Sequence, residues 1–513
     1  MKKIVSLLLI LCITFMLSSC NSGGIVNSSS SDLSSRLNSR SDTINGTSDT
    51  ETEVETESTN TNTNSTGSSS NVNPDAPNTP LKVFKSPIEK RYSYDQYYKY
   101  FPSSYKFDFT KSNTEESYLP KVEEMRKKVV DSANTMTRQK NSVKNFGAVG
   151  DGVTDDTAAI MKAYKDLKGK IYFPAGKYLL RQTLVLQDDT VIYGDHAQLI
   201  LNDDISGITG DAKTNIYIKG IYINKKWIDN STKYGILFIS CANIVVDNCE
   251  VSGFGGRAGI SLRTNCNWFS VTNNFCHDFS ASKVGALDDG LEQDSFGFET
   301  RWGTKNGVFR NNVVDNIETR EPNRSARLVQ TDGFYIGGNT ENVLIEGNYV
   351  SRVGEGFDLG HARNIIIRNN TIVTISIWGI KVGQGSTDVL AEKNYIEDSG
   401  FGALHAYSGQ PQNGDTNRVI YRQNFLVDCN RSNAFPKRSD EHLAAIHFAA
   451  SAGAECMYNT AEYNAIYLPP ENKNVRWAVD EGGSSQDNYF RYNYIEGTFK
   501  SGHYYVNSTV IKY

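Results

Sequence analysis

Two short phrases in the middle of the chain repeat at a fixed spacing. Residues 356–360 read Gly-Phe-Asp-Leu-Gly, residues 379–383 read Gly-Ile-Lys-Val-Gly, and the two phrases begin 23 residues apart. Between them, residues 364–370 read Asn-Ile-Ile-Ile-Arg-Asn-Asn. Each phrase is a short apolar or alternating run bounded by Gly or Asn, which is typical of a buried strand. A repeat of this length, built from short strands and tight turns, predicts the coil of a parallel β-solenoid.

The first 20 residues have the pattern of an export signal. Two lysines precede an apolar run over residues 4–17, which is too short to span a membrane comfortably. The run ends in Leu17-Ser18-Ser19-Cys20, which resembles the lipobox of bacterial lipoproteins. The resemblance implies cleavage before Cys20, lipid attachment to its thiol and a membrane-anchored protein exported to the bacterial cell envelope. An ordinary secretion signal is the alternative.

Two further segments precede the repeats. Residues 21–80 are rich in Ser, Thr and Asn and hold almost nothing that could form a core, so they predict a disordered stalk. Residues 81–140 combine a tyrosine cluster with a helix expected from Pro120 to about Met136. We interpret this segment as a clasp packed on the first coils, with a separate binding module as the alternative. The net charge of −5 shows no basic excess, so nucleic acid is not an expected partner.

The folded core is predicted over residues 141–513. Its opening segment has Gly turns followed by Thr154, which can cap a helix that carries an apolar stripe from Ala159 to Leu167. A helix there would cover the open end of a solenoid, where strands otherwise lack partners. Residues 170–180 then predict a strand, a turn and a second strand.

This opening resembles the N-terminal block of the pectate-lyase-like right-handed β-helix superfamily, which includes polygalacturonases, rhamnogalacturonases, related lyases and phage tailspikes. The resemblance lies in FGAVGDGVTDDTAAI at 146–160 and YFPAGKY at 172–178. It implies an all-β fold, a right-handed parallel β-helix with an N-terminal capping helix, and a polysaccharide as the usual substrate. It does not fix the reaction, because one fold can host many chemistries.

The coils can be aligned on a strand pattern, Asn-Φ-x-Φ-x-x-Asn, in which Φ is apolar. Asn residues stacked in successive coils can form an amide ladder that satisfies buried turns, which is a structural role. Uneven intervals between these residues predict long loops at about 276–300, at 317–331 and after residue 424. The closing Asn recurs at 274, 312, 348, 370, 394, 424 and 493, with Cys249 in the same slot.

A second strand follows the pattern Gly-Φ-x-Φ, in which the x side chain points outward. Because neighbouring coils stack about 4.8 Å apart, the x residues are expected to form one outer row. The residues just before the strand, Asp332, Glu355 and Trp378, form a second row beside it. Down the chain, x reads Ser261, Glu299, Tyr335, Asp358, Lys381, His405 and His447.

We predict a catalytic site where acids, a base and His come together in these rows. The predicted catalytic residues are Asp332, Glu355, Asp358, Lys381 and His405, and the predicted substrate-binding residues are Tyr335, Trp378, Arg352, Arg363, Glu299 and Tyr407. Trp302, Trp378 and Tyr407 can stack on sugar rings or pack beneath a loop. A solvated face with ordinary surface ion pairs is the alternative.

Polygalacturonases carry the motifs NTD, DD, GHG and RIK on successive coils. Asp332, in Gln-Thr-Asp-Gly at 330–333, matches the first motif, and Glu355 matches the Asp pair by class only. Trp378 stands where the His of GHG would be, and no RIK occurs. The resemblance therefore does not extend to a polygalacturonase in the strict sense.

Two reactions on a uronate-containing, pectin-like polysaccharide remain open. Hydrolysis needs two carboxyl groups, which Asp332 and Glu355 can supply with Asp358 as a third. β-Elimination needs a base, for which Lys381, His405 and Tyr335 are candidates. It also needs a cation for the uronate carboxylate: Arg352, Arg363, Arg320, Arg324 or Arg327. We prefer hydrolysis slightly, and a non-catalytic carbohydrate-binding adhesin is the third alternative.

Other candidates are weaker. The acidic segment 288–294 is either a Ca²⁺ loop or a solvated loop. No other metal or cofactor is expected, because the His residues show no metal-ligand spacing. Cys241 and Cys266 lie 25 residues apart, in one slot of adjacent coils, and form either a disulfide or two buried thiols. The oligomeric state is left open.

Overall fold

The structure is a computed structural model that describes residues 84–86, 88–225, 231–253, 257–280, 294–318, 331–431, 443–451 and 453–511. The chain divides into two compact units, 1–69 and 70–513, and every described residue belongs to the second. Several predictions from the sequence lie outside the described residues: the signal segment with Cys20, the stalk 21–80, the acidic segment up to residue 293, and Arg320, Arg324 and Arg327.

Each coil contributes three short strands, and equivalent strands of successive coils pair in parallel. We call the three stacks sheet 1, sheet 2 and sheet 3. Sheet 1 has 12 strands within the described residues and carries the two predicted rows. Its strands are Leu184–Val185, Ile208–Asp211, Tyr234–Ile239, Ala258–Arg263, Ser295–Arg301, Thr331–Gly337, Phe357–Gly360, Trp378–Gly383, Gly402–Ser408, Ala444–Ala450, Trp477–Gly483 and Gly502–Tyr505.

Sheets 2 and 3 are joined by two long strands that belong to both, Val191–Leu201 and Thr214–Lys225. The other strands of sheet 2 are Lys170–Phe173, Ala242–Asp247, Asn267–Thr272, Lys305–Arg310, Glu341–Glu346, Arg363–Arg368, Thr387–Glu392, Thr416–Arg422, Cys456–Met457, Thr460–Glu462, Tyr489–Arg491 and Thr509–Ile511. The other strands of sheet 3 are Asp151–Asp155, Lys177–Leu180, Glu250–Ser252, Phe275–Ser280, Val313–Glu318, Tyr349–Ser351, Thr371–Ile375, Tyr395–Ser399, Phe425–Val427, Ala465–Tyr467 and Tyr494–Glu496.

The fold is the predicted right-handed parallel β-helix. Apolar side chains of all three sheets point into the coil and stack on apolar side chains of the next coil. The rings of Phe298 and Phe334 lie 4.7 Å apart between centroids, and those of Phe334 and Phe357 lie 4.9 Å apart. This interior stacking holds the register that the outward side chains inherit.

The predicted Asn ladder is confirmed. Asn348 donates its backbone N–H to Asn370 Oδ1 at 2.8 Å, and Asn370 donates in the same way to Asn394 Oδ1 at 3.0 Å. The ladder runs on from Asn424 to Asn493 through Asn464, a rung that the sequence pattern missed. Side-chain amides thereby satisfy backbone N–H groups of the buried turns between sheets 2 and 3.

Short helices lie outside the three stacks. α-Helices cover Tyr97–Tyr100, Leu119–Ala133, Arg138–Asn141 and Thr157–Asp166, and 3₁₀ turns cover Tyr94–Gln96, Val143–Phe146 and Pro411–Asn413. Within the described residues, none of the helices is long and apolar enough to cross a membrane.

The helix near the start of the core begins later than predicted. Thr154 lies in the strand Asp151–Asp155, and the helix covers Thr157–Asp166. The Asp156 carboxylate accepts the backbone N–H groups of Val149 and Gly150, at 2.6 and 3.0 Å, so it secures the glycine turn. Buried Ile160 belongs to the main core, whereas the capping role of the helix stays a prediction.

The segment that begins at residue 84 contacts late coils as well as early ones, whereas the prediction placed all of it on the first coils. Arg91 Nε lies 2.6 Å from Glu397 Oε1, and the same guanidinium contacts Asp428. Thr110 Oγ1 donates to Glu462 Oε2 at 2.8 Å. The helix Leu119–Ala133 then packs against earlier strands of sheet 2, with Val122 and Val129 buried in that contact. This segment therefore ties late coils to early ones.

Cys241 and Cys266 are free, buried thiols in adjacent coils. The backbone N–H of Cys241 donates to Cys266 Sγ at 3.4 Å. Of the two alternatives from the sequence, the structure has the thiols.

The Asn ladder is expected to contribute measurably to stability. Replacing Asn370 by Ala removes side-chain bonds to Ile345 O and Asn394 Oδ1 and leaves the N–H groups of Asn348 without their acceptor. Each buried group left unsatisfied costs about 1–3 kcal/mol, so we expect a loss of at least about 2 kcal/mol in urea unfolding. Asn113→Ala, in an exposed loop, is the control, and equal stability of the two variants would contradict a stabilising ladder.

Candidate active site

Parallel pairing on sheet 1 aligns the outward row as predicted. Tyr335 pairs with Asp358, Asp358 with Lys381, and Lys381 with His405. The row extends to Glu299 on one side and to His447 on the other. It continues to Asp480, which the sequence analysis missed because residues 477–483 lack the Gly-Φ-x-Φ pattern.

The second row lies beside the first because each of its residues precedes a glycine of sheet 1. Gly333 donates its N–H to Glu355 O at 2.8 Å, and Gly356 donates to Trp378 O at 3.0 Å, which places Asp332, Glu355 and Trp378 on consecutive coils. A side chain at either glycine would meet the core, at Val350 or Ile372. The residue before each glycine therefore faces outward.

The two rows bring three carboxyl groups together. One oxygen from each of Asp332, Glu355 and Asp358 lies within 4.8 Å of the other two. Lys381 Nζ lies 2.8 Å from Glu355 Oε2 and 3.3 Å from Asp358 Oδ1. These four residues, which the sequence predicted to be catalytic, form what we call the acid cluster.

Asp332 differs from the other acids in its surroundings. Its side chain is fully buried, and neither carboxylate oxygen has a hydrogen-bond partner among the described residues. An ionised carboxylate without partners in such a place is strongly unfavourable. Burial, with Glu355 and Asp358 nearby, raises the pKa of Asp332 well above its usual value, so this group is held protonated.

The pKa values of Glu355 and Lys381 depend on the other charged groups of the cluster. Burial raises the pKa of Glu355 to about 8, with Asp358 adding to the rise and Lys381 opposing it. Burial alone would lower the pKa of Lys381, but Asp358 and Glu355 outweigh burial and raise it. The lysine is therefore a fixed cation, and the elimination mechanism that uses it as the base is disfavoured.

The three carboxyl groups are also the set within the described residues whose spacing could hold a metal ion. Oxygen ligands of this kind suit Ca²⁺ or Mg²⁺. Lys381 already contributes a positive charge to two of the three groups, and Asp332 is held neutral by burial. The donor set therefore fits a lysine counter-ion better than a divalent cation.

Glu299 forms a separate ion cluster one coil before Tyr335. Its carboxylate accepts from Ser261 Oγ at 2.6 Å and from Arg263 at 2.7 and 2.8 Å, and Arg301 Nε lies 2.5 Å away. Burial alone would raise the pKa of Glu299, but the two arginines outweigh burial and lower it. Glu299 thus orients two arginines, so the expectation that it binds substrate directly is corrected.

Arg352 and Arg363 do not reach the acid cluster, contrary to prediction. Arg352 lies at the end of sheet 3, where its guanidinium pairs with Asp315. Arg363 begins a strand of sheet 2 and lies 3.6 Å from Asp388. Arg301 instead lies next to the row, with its guanidinium 4.2 Å from the centroid of the Tyr335 ring.

His405 belongs to an aromatic stack beyond Lys381. The indole of Trp378 lies 4.2 Å from the imidazole of His405, nearly parallel, and His405 lies 4.8 Å from His447. His405 Nδ1 is 3.2 Å from the backbone oxygen of His447. Tyr407 stacks on the same imidazole at 5.5 Å. Trp378, His405 and Tyr407 therefore lie together, beside the acid cluster.

The family model for rhamnogalacturonase A/epimerase, pectate lyase-like, matches residues 141–404, which is more than half of the chain. The chain belongs to this family. Within the family region lie the acid cluster, Trp378 and the Arg263–Glu299–Arg301 group, whereas His405, Tyr407 and His447 lie just beyond it.

Curated relatives match with low identity. The chain is 25% identical to mannuronan C5-epimerase AlgE5 of Azotobacter vinelandii over 267 residues, which are 44% of this chain and 26% of the epimerase. It is 26% identical to alginate lyase 7 of the same organism over 260 residues, 48% of this chain and 24% of the lyase. It is also 26% identical to plasmin and fibronectin-binding protein A of Streptococcus pneumoniae over 313 residues, 52% of this chain and 42% of that protein. The chain thus spans about a quarter of the epimerase and of the lyase.

The catalytic domain of a GH87 α-1,3-glucanase is a similar solved structure. It superposes with a TM-score of 0.51 at 14% identity, covering 72% of this chain and 68% of that domain. At this identity the likeness concerns the fold.

The acid cluster makes stability depend on pH in a defined direction. Glu355 and Asp332 have folded-state pKa values above their unfolded ones, so the folded chain binds more protons at intermediate pH. Their contribution to the free energy of unfolding therefore falls as pH rises from about 4.5 to about 8. We expect Glu355→Gln and Asp332→Asn to flatten this dependence in urea unfolding at about pH 5 and about pH 8.

The control for this experiment is Asp131→Asn on the exposed face of a helix, which is expected to keep the pH dependence of the parent. A wild-type stability that rises across the same interval, and is unaffected by Glu355→Gln, would contradict the arrangement of charges in the cluster.

Proposed function

We propose that this protein is an exported enzyme that cleaves glycosidic bonds of a polysaccharide by hydrolysis. The observation that carries the proposal is the convergence of Asp332, Glu355 and Asp358 from consecutive coils. Lys381 pairs with Glu355 and Asp358, whereas the oxygens of Asp332 have no hydrogen-bond partner among the described residues. Glycoside hydrolysis requires one carboxyl group as proton donor and another as base or nucleophile. The names of the family and of the glucanase support a carbohydrate substrate.

Asp332 is proposed as the general acid. Burial without a hydrogen-bond partner among the described residues keeps its proton on, and that proton is available to the leaving oxygen of the glycosidic bond. Once the proton has left, the carboxylate would be near Lys381, which supplies charge compensation through the same cluster.

Asp358 is proposed as the ionised partner, acting as base toward water or as nucleophile. Lys381 lies 3.3 Å from its carboxylate and 2.8 Å from that of Glu355, so one ammonium neutralises the pair. Burial raises the pKa of Glu355, which favours a proton on Glu355 beside Asp358. Glu355 thus positions the ionised carboxylate and can exchange a proton with it.

A lyase reaction is the second candidate, favoured by the arginines next to Tyr335 and by the named relatives. Arg263 and Arg301 contact the carboxylate of Glu299, and Arg257 lies nearby. Even with Asp294 acting on Arg301, the cations outnumber the carboxylates where a uronate carboxylate could bind. Neither Lys381 nor Tyr335 is well suited to act as the base of this mechanism. Lys381 is held protonated, and burial raises the pKa of Tyr335 to about 12.

The same arginines support a uronate-containing substrate for the hydrolase as well. We further propose that export leads to lipid attachment at Cys20 and places the enzyme at the surface of a bacterial membrane. The adhesin alternative gains support from the plasmin and fibronectin-binding relative, and binding without cleavage is the outcome that would establish it.

Substitution of the acids tests the hydrolase. Asp332→Asn and Asp358→Asn are expected to lower kcat on the polysaccharide that the wild type cleaves by about 10²–10⁴-fold, because each removes one proton-transfer partner. Reducing-end release, measured with a panel of acidic and neutral polysaccharides, finds that substrate. Ultraviolet absorbance of an unsaturated uronate in the products would instead identify a lyase.

The matched control is Glu341→Gln, which lies on sheet 2 in the coil of Asp332 and is expected to leave kcat unchanged. Circular dichroism should show an intact β-helix in every variant. Full activity in both acid variants would remove the assignment of the acid cluster as the hydrolytic site.

A further inference from the structure

A cavity lies on sheet 1, next to the acid cluster on its C-terminal side. Its volume is about 470 Å³. One wall is the stack of Trp378, His405 and His447, and Tyr407 stands at its edge. The volume falls within the roughly 300–1,000 Å³ that small-molecule sites occupy.

Small residues create the space. Two residues after the outward row of His405, His447 and Asp480, the strands of sheet 1 have a further aligned position. It is Tyr407 in one coil, Ala449 in the next and Gly482 in the one after. A Cβ at Gly482 would have only His447 Nε2 within 4 Å, at 3.5 Å, so the position faces open space. A hydrogen bond of 2.9 Å joins Tyr407 Oη to Ser451 Oγ and holds the tyrosine ring at the edge of the cavity.

Aromatic rings form much of the lining, and the carboxylate of Asp480 would offset a proton on His447. Among the described residues of the lining there is no Asp, Glu, Lys or Arg, and the imidazole of His447 faces the Asp480 carboxylate, with 3.3 Å between Nε2 and Oδ2. A uronate carboxylate placed here would be desolvated without a cation beside it, which is costly. Aromatic walls with a few polar groups instead suit the apolar face and hydroxyl groups of a neutral sugar.

The cavity shares both outward rows with the acid cluster. Trp378 is the next residue of the row that holds Asp332 and Glu355, and His405 pairs directly with Lys381. At about 4.8 Å per coil, His405 lies about 10 Å along the axis from Asp358. A glycan bound along sheet 1 would therefore pass from the acid cluster into the cavity.

We propose that this cavity is a subsite for an uncharged sugar residue of the glycan. The sugar would lie on the side of the cleaved bond that faces the C-terminal coils of the protein. The arginines around Glu299 lie on the opposite side of the acid cluster, so the groove has a cationic end and a neutral end. The inference rests on the proposed function for the cleavage step, whereas binding in the cavity is measurable without turnover.

The test uses isothermal titration with the Asp332→Asn variant, so that ligands are not consumed. The probes are neutral gluco-, galacto- and rhamno-oligosaccharides and, for comparison, oligogalacturonates. Gly482→Phe fills the cavity without touching the acids, and we expect it to weaken neutral-oligosaccharide binding at least tenfold, about 1.4 kcal/mol. Gly482→Ala adds one methyl group and should give a smaller loss, which keeps the test informative if the Phe variant does not fold.

Val185→Phe is the matched control, since Val185 is exposed on an early strand of sheet 1, far along the axis from the cavity. It is expected to leave binding and turnover unchanged. Neutral binding that survives both Gly482 variants, binding of oligogalacturonates alone, or no binding of any neutral probe would overturn the proposal.

The two proposals can fail separately. Cleavage by the wild type with a KM unchanged by Gly482→Phe would remove the subsite and leave the hydrolase. Gly482-dependent binding by a protein that cleaves no member of the panel would leave the subsite and remove the hydrolase.

Discussion

Parallel hydrogen bonding between successive coils is the constraint on which the site depends. Each outward residue of sheet 1 has a neighbour one coil away, however many residues separate the two in the chain. Glu299 and Tyr335 are 36 residues apart and Asp358 and Lys381 only 23, yet both pairs are adjacent in the sheet. The interior aromatic stack and the Asn ladder hold this register, so loop insertions leave the rows intact.

The same constraint explains which parts of the site could be predicted. Asp332, Glu355, Asp358 and Lys381 follow from a strand pattern of period two and a coil repeat, both of which are visible in the sequence. Asp480 was missed because Glu481 stands where the pattern has its second apolar residue. Asn464 was missed because it lies 40 residues after Asn424, much further than one regular coil. The coil repeat predicts a residue's position only where the strand pattern and the coil length are kept.

Long side chains and non-repeating segments were harder to predict for physical reasons. Arg352 and Arg363 lie at corners of the coil, where small changes in backbone direction decide which sheet a side chain reaches. The clasp has no periodicity, so nothing in its sequence shows which coils it crosses. It contacts Glu397 and Glu462, which are strand residues of sheets 3 and 2, and Asp428, which follows a strand of sheet 3. None of the three belongs to a sequence pattern that marks it as a contact.

Two buried groups of charges on sheet 1 show how structural and chemical roles can be told apart. Glu299 has ion pairs or hydrogen bonds on both of its oxygens, and such a satisfied network adds rigidity at little net energy. Asp332 is as deeply buried, but its oxygens have no partner among the described residues. A carboxyl group in that state destabilises the fold, and an apolar residue of similar size would be better tolerated.

Stability therefore does not account for Asp332, whereas its proposed role as proton donor does. A proton donor must be free to give its proton to a substrate atom, and a hydrogen-bond acceptor supplied by the protein would compete for that proton. The neighbouring ammonium of Lys381 favours the ionised state that follows transfer, because it lies among the same carboxyl groups. In the proposed mechanism, the unsatisfied acid and its satisfied neighbours form one proton-transfer unit, held in place by the stacking of three consecutive coils.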